Sequence, residues 1–226
     1  MAYISKTMKL IPKAILFDFD GTLAVLTLDF TKMRHAAIAA LRGFLSADEL
    51  AHYDAERPVM EALDLLDKRL PASRSTEARA VVEKALIDFE VEAAKLSRLY
   101  TFTLPALTRL REKNIPCAII TRNCRASVET VFPNHADYCA QLLTRHDVKN
   151  IKPHPDHLLG ALAPLGVAPA DALMVGDHPM DIVAAKNAGC QSAGVLTGEA
   201  GPELMAAAEP DYLANDVGEL MKMLGL

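Results

Sequence analysis

The 226-residue chain is 51% hydrophobic and 23% charged, which suits a globular protein with a sizeable core in one or two domains. Its formal net charge is −5, so it carries no basic footprint for nucleic acid. Aromatic residues make up 5% and Trp is absent; with four cysteines among 226 residues, the composition excludes a disordered chain, a collagen-like fibre and a disulfide-rich module.

Four short apolar runs predict buried parallel strands: Ala14–Phe19, Cys117–Thr121, Ala172–Gly176 and Ser192–Leu196. Each is 5–6 residues long and shows no alternation, as expected of a strand covered on both faces. Tyr138–Leu143 and Asp211–Ala214 are further candidates. Helical spacing fills the gaps at Leu104–Lys113, Arg125–Val131, Asp156–Leu165, Met180–Ala188 and Val217–Leu224. Strands alternating with helices predict an α/β fold, a doubly wound, Rossmann-like parallel sheet.

One interval breaks this rhythm. Between the first strand and Leu104, helical spacing occurs at Thr31–Leu45, Pro58–Arg69 and Thr76–Tyr100, punctuated by Asp48 and by Leu70–Ser73. In the last segment Ala78, Val81, Val82, Ala85, Leu86, Phe89, Ala93 and Leu96 form one expected apolar stripe. Residues 25–100 are therefore expected to form a helical subdomain inserted into a core of residues 1–24 and 101–226. Core-covering helices are the plainer alternative.

No cysteine (Cys117, Cys124, Cys139, Cys190) lies in a CxxC pair or near a histidine at zinc spacing, which predicts ordinary thiols in a reducing compartment. No run approaches about 18 apolar residues, and Lys6 and Lys9 interrupt the first ten residues. A cytoplasmic protein without a membrane span is the expectation.

Four segments carry candidate chemistry. Asp18 and Asp20 lie at the carboxyl end of the first strand, where open α/β sheets bind ligands. The turn at Gly21 lets both converge on one crevice, and a hard divalent cation would relieve their repulsion. A simple bend at Asp20-Gly21 is the alternative. Thr121 ends the next strand, and Asn123 either turns backbone N–H groups toward an anion or caps the helix after it. Lys152 is held by Pro153 and Pro155, ready for a phosphoryl group, or else stands in solvent before a helix. Asp177 and Asp181 follow Gly176 at the end of a third strand, with a helix-start role open to Asp181. His154 and His178 have no partner at zinc spacing.

In this order the segments resemble the haloacid dehalogenase-like hydrolase superfamily, in its phosphoglycolate-phosphatase-like branch with a helical cap. Asp18-Phe19-Asp20-Gly21-Thr22 is similar to its first motif, Thr121 to its second, and Lys152 with Pro153 and Pro155 to its third. Gly176-Asp177 through Asp181, continuing to Gly189, is similar to its fourth. The resemblance spans residues 13–24 and 102–222 and implies a phosphatase of small phosphorylated metabolites. By that resemblance Asp18 would be the nucleophile and Asp20 the general acid and base. Magnesium would be held by Asp18, the Asp20 backbone carbonyl and Asp177, with Asp181 in support or as a further ligand. Thr121, Lys152 and the backbone near Asn123 would bind the phosphate. A sugar-phosphate mutase on the same chemistry and a non-catalytic binding protein on the same fold are the rival readings. A phosphonate hydrolase would need a Schiff-base lysine, and Lys32, Lys68, Lys84 and Lys95 show no buried context. Arg122 stands where the branch has a small or amide residue, and His178 where it has Ser or Thr. Either could reach a second anionic group of a substrate or stand exposed. Arg34, Arg42 and Arg57 are the candidates for substrate selection in the helical segment. Oligomeric state is not legible.

Overall fold

The computed structural model describes residues 3–4, 11–46, 50 and 70–226. The chain divides into two compact units, Met1–Leu26 with Ser97–Leu226, and Thr27–Leu96. The first opens with β1 (Tyr3–Ile4) and β2 (Ala14–Phe17). The second contains α1 (Phe30–Leu41) and α2 (Ala72–Ala94). The first resumes with α3 (Thr103–Glu112), β3 (Cys117–Ile120), α4 (Arg125–Val131) and β4 (Gln141–Leu143). It continues through α5 (Asp156–Leu165), β5 (Ala172–Gly176), α6 (Pro179–Ala188) and β6 (Gln191–Val195). It ends with α7 (Pro202–Ala207), β7 (Tyr212–Ala214) and α8 (Val217–Met223).

The sheet runs β1-β7-β6-β5-β2-β3-β4, parallel throughout except for β1 against β7. Its central strands are apolar at every position because both faces are covered. Ile15 and Phe17 join Leu107 and Leu110 of α3 and Leu220 of α8 in one core. Ala14 and Leu16 join Leu158 and Leu162 of α5 and Ala184 and Ala185 of α6 in the other. This is the doubly wound arrangement expected from the alternating pattern.

The helical unit has its own core, in which Ala37, Leu41 and Leu45 meet Ala78, Val82 and Leu86. Asp29 caps α1 by accepting from Lys32 N at 3.0 Å. The expected stripe on α2 is narrower than the sequence suggests: Val81 is 42% and Leu96 78% exposed, and the covered positions step by four from Ala78 through Val82 and Leu86. The predicted helix to Tyr100 also stops early, at Ala94. The chain beyond pairs with the segment after β2 instead, Val25 N donating to Arg98 O and Tyr100 N to Leu23 O. β1 and α7 were not expected; two residues and six give little periodicity to read. Asp48, Arg57, Lys68 and the predicted helix at Pro58–Arg69 lie outside the described residues. No helix among the described residues is long and apolar enough to cross a membrane.

Candidate active site

Phe17 is level with Ile119 of β3 on one side and Val175 of β5 on the other. Three adjacent strands therefore end side by side and deliver Asp18, Thr121 and Asp177 to one edge of the sheet. The chain grows outward from β2 to β3 and β4, then returns across the sheet to β5. That reversal leaves a crevice at the carboxyl ends of β2 and β5, the usual ligand position in such sheets.

The turn after β2 is set by Gly21, whose φ of +81° lies in the left-handed region that side chains disfavour. A Cβ there would also fall 2.3 Å from Asp177 Oδ2, so glycine is required twice over. The turn brings Thr22 Oγ1 to donate to Asp177 Oδ1 at 3.1 Å. Across the crevice, Asn123 Nδ2 donates to Asp20 Oδ2 at 2.9 Å, and Asn123 Oδ1 accepts from Cys124 N at 2.7 Å. The Asn123 side chain thus fixes the Asp20 carboxylate and braces the start of α4. Thr121, buried beside it, accepts from Asn123 N at 3.0 Å and keeps its hydroxyl proton for another acceptor.

Lys152 is 2% exposed and bridges two carboxylates, 2.8 Å from Asp18 Oδ1 and 2.7 Å from Asp181 Oδ1. It is fixed through its backbone, whose N–H donates to His157 Nδ1 at 3.2 Å. The other ring nitrogen lies 3.2 Å from Leu143 O and so carries the proton. Burial, reinforced by the Lys152 charge, pushes the imidazole down to about 4, so it stays neutral. Asp181 also accepts from His178 N at 3.2 Å, fulfilling its helix-start role and its site role together. Gly176 makes this possible, since a Cβ there would lie 2.2 Å from Asp181 Cγ.

Oxygens of Asp18, Asp177 and Asp181 lie within 4.8 Å of one another. Burial and the charges of Asp18 and Asp181 push Asp177 up to about 8. Burial raises Asp181 to about 6, Lys152 holding back a larger rise. Burial pulls the Lys152 pKa down, but Asp18 and Asp181 outweigh it and the pKa is raised. One ammonium thus faces three crowded carboxylates, leaving an excess of negative charge on hard oxygen donors. That donor set fits a small divalent cation.

Of the residues singled out in the sequence, Asp18, Asp177, Asp181 and Lys152 share one cluster. Asp20 and Asn123 adjoin it as a hydrogen-bonded pair, with Thr121 next to them. Neither His154 nor His178 belongs to the only metal-suited group among the described residues. Arg34 and Arg42 lie in the helical unit, where Arg34 Nε is buried without a hydrogen-bond partner and Arg42 is exposed. Lys32, Lys84 and Lys95 are exposed. The supporting parts of Thr22 and His157 escape sequence reasoning: Thr22 reads only as a motif letter, and nothing in the spacing of a helical His157 points back to Lys152. All four cysteines are free and buried, as expected.

Fold and site together define a Rossmann-like α/β protein with a lysine-bridged acidic crevice whose oxygen donors suit a divalent cation. A family profile described as Haloacid dehalogenase-like hydrolase matches residues 15–195, and the chain belongs to that family. It is 32% identical over 222 residues to a phosphoglycolate phosphatase of Vibrio vulnificus (strain CMCP6), covering 94% of this chain and 96% of that one. The phosphoglycolate phosphatase of Escherichia coli (strain K12) is 28% identical over 248 residues, covering 95% and 93%. A crystal structure of a hydrolase from Pseudomonas syringae aligns with a TM-score of 0.70 at 19% identity, covering 94% of this chain and 97% of that one. At that identity the likeness speaks for the fold.

Proposed function

We infer that the protein is a Mg²⁺-dependent phosphatase of small phosphorylated metabolites that works through an aspartyl phosphate on Asp18. The observation that carries the reading is the cluster of Asp18, Asp177 and Asp181 with Lys152 bridging two of them. The named relatives support the reaction class.

Asp18, Asp177 and the Asp20 carbonyl would hold magnesium, with Asp181 behind them. When bound, it would neutralise the crowded carboxylates and the phosphate, letting an anionic nucleophile meet an anionic substrate. Asp18 attacks phosphorus in line; the bond from phosphorus to the ester oxygen breaks, and that oxygen takes a proton from Asp20. Asp20, now ionised, removes a proton from water, which attacks the acyl phosphate and returns Asp18 and inorganic phosphate. Asn123 keeps the Asp20 carboxylate aimed through its 2.9 Å bond. Lys152 and the Thr121 hydroxyl stabilise charge on the transferring oxygens. We read the helical unit as the counterpart of the family's cap, and we place the protein in the cytoplasm, in line with its free thiols.

The test is Asp18→Asn, which keeps the volume and removes the nucleophile. We expect Mg²⁺-dependent hydrolysis of p-nitrophenyl phosphate to fall by at least about 10³-fold with the fold intact. Retained turnover would overturn the mechanism, and isomerised product without net phosphate release would point to a mutase.

A further inference from the structure

The Asp177 carboxylate is held by parts of the chain far apart in sequence. Thr22 Oγ1 donates to its Oδ1 at 3.1 Å. Its Oδ2 lies against two glycines: a Cβ on Gly21 would fall 2.3 Å from that oxygen, and a Cβ on Gly198 only 1.7 Å away. Both backbones therefore act as walls that limit how the carboxylate can turn. Gly198 belongs to the loop after β6, the strand that pairs with β5.

Thr197 ties the two walls together. Its Oγ1 donates to Gly21 O, and its own carbonyl accepts from Tyr100 Oη at 2.9 Å. Tyr100 is fixed in turn: its N–H donates to Leu23 O at 3.0 Å, and its ring stacks on Phe102 with centroids 5.0 Å apart. The turn from Gly21 to Leu23, Tyr100 and Thr197 thus form a closed ring of hydrogen bonds, and Gly21 and Gly198 press from it onto Asp177. A hydroxyl has one proton to donate, and those of Thr197 and Tyr100 are committed to backbone carbonyls. Neither group is therefore a donor to a substrate oxygen, and their effect on the site passes through Asp177.

We propose that Thr197, with Tyr100 behind it, is a positioning residue for the divalent cation: it fixes Gly21 and Gly198 relative to each other and so aims the Asp177 oxygens at the ion. The proposal rests on the reading of Asp177 as a metal ligand and adds residues that set the affinity. A carboxylate already clamped loses little freedom when the ion arrives, whereas a loose one must be ordered at that moment. Partners that orient a ligand in this way are commonly worth about 10–100-fold in metal affinity.

The experiment titrates Mn²⁺ into the full-length, metal-free protein and counts the free ion by electron paramagnetic resonance, with Mg²⁺ as the competitor. Wild type is compared with Thr197→Val, Thr197→Ser and Tyr100→Phe, and the stability of each is followed by urea denaturation in EDTA. Val keeps the shape of Thr and removes the donor, while Ser keeps the donor. We expect Thr197→Val to raise the dissociation constant about 10–100-fold and Tyr100→Phe about 3–10-fold, with Thr197→Ser within about threefold of wild type. Turnover of p-nitrophenyl phosphate lost in Thr197→Val should return as Mg²⁺ is raised, because the nucleophile is untouched. A merely structural role would lower stability in EDTA and leave the dissociation constant unmoved, which overturns the proposal. Ser binding as weakly as Val overturns the hydrogen bond as the cause. If Thr197→Val does not fold, Tyr100→Phe decides, since it keeps the ring and its stack; an unchanged dissociation constant there overturns the clamp. A wild type that binds neither Mn²⁺ nor Mg²⁺ defeats the reading of Asp177 as a ligand and the clamp with it, whereas a wild type and variants that bind equally well defeat the clamp alone.

Discussion

Replacing Asp177 by Asn should make the metal-free protein more stable while removing its response to magnesium. Asp177 is buried, and burial together with the Asp18 and Asp181 charges pushes it up to about 8. In the unfolded chain it titrates near 3.8. The folded state therefore binds more protons than the unfolded state between those values, so stability without metal falls as pH rises from about 4 to about 8. At pH 7 the unfolded chain has ionised this group and the folded protein has not. The difference of roughly three pH units corresponds to a ceiling of about 4 kcal/mol held against the fold. Asn keeps the shape and carries no charge, and its carbonyl can still accept from Thr22 Oγ1, which now bonds Asp177 Oδ1 at 3.1 Å. Urea denaturation in EDTA at pH 5, 6, 7 and 8 reads the effect. We expect Asp177→Asn to exceed wild type by about 1–4 kcal/mol at pH 7, with the gap widening between pH 5 and 8 and the wild-type slope flattened. Adding 10 mM Mg²⁺ should then stabilise wild type and leave the variant unmoved. A variant less stable than wild type at pH 8 in EDTA, or wild-type stability that rises across this window, would refute the electrostatic reasoning.

Lys152→Met should cost about 3–5 kcal/mol, because it leaves half-buried Asp18 and buried Asp181 without their shared cation; a loss under about 1 kcal/mol by urea denaturation would contradict the bridge. In His157→Leu, the Lys152 N–H loses its acceptor, and we expect a loss of about 1–3 kcal/mol together with a higher KM for any phosphate ester hydrolysed. An unchanged KM would mean that Lys152 is positioned without His157. In the helical unit, Leu86→Ala should destabilise by about 2–5 kcal/mol, since Leu86 is 2% exposed between α1 and α2. Thermal unfolding with no shift in Tm would contradict that core.

Much of the α/β core could be read directly because its strands are apolar throughout and end in motif residues at fixed offsets. Asp18, Lys152, Asp177 and Asp181 stood out through their order along the chain, because singly a bend, a solvent lysine or a helix start explains each of them. The sequence could not convey which oxygen each group faces. Asn123 reads as a phosphate-binding candidate from its position before α4, yet its side chain bonds Asp20 and Cys124 N. Thr22 and His157 act through hydrogen bonds to residues 155 and 5 positions away, a relation no local periodicity encodes. In the helical segment the i, i+3, i+4 pattern overstated the buried stripe, because α2 covers its i, i+4 row against α1 and leaves Val81 in solvent. Its overlong boundary has a similar origin: residues 98–100 satisfy their backbone groups against residues 23–25, a tertiary pairing that overrides helical propensity.

A crystal structure grown with Mg²⁺ and beryllium fluoride examines the core of the mechanism without any assumption about substrate. We expect a beryllium trifluoride joined to an Asp18 oxygen, tetrahedral at beryllium like a bound phosphoryl group, a magnesium ion touching Asp18 and Asp177, and the Lys152 ammonium against a fluorine. Beryllium fluoride joined to another residue, or a Mg²⁺-soaked crystal in which Asp18 and Asp177 share no ion, would contradict phosphoryl transfer through Asp18.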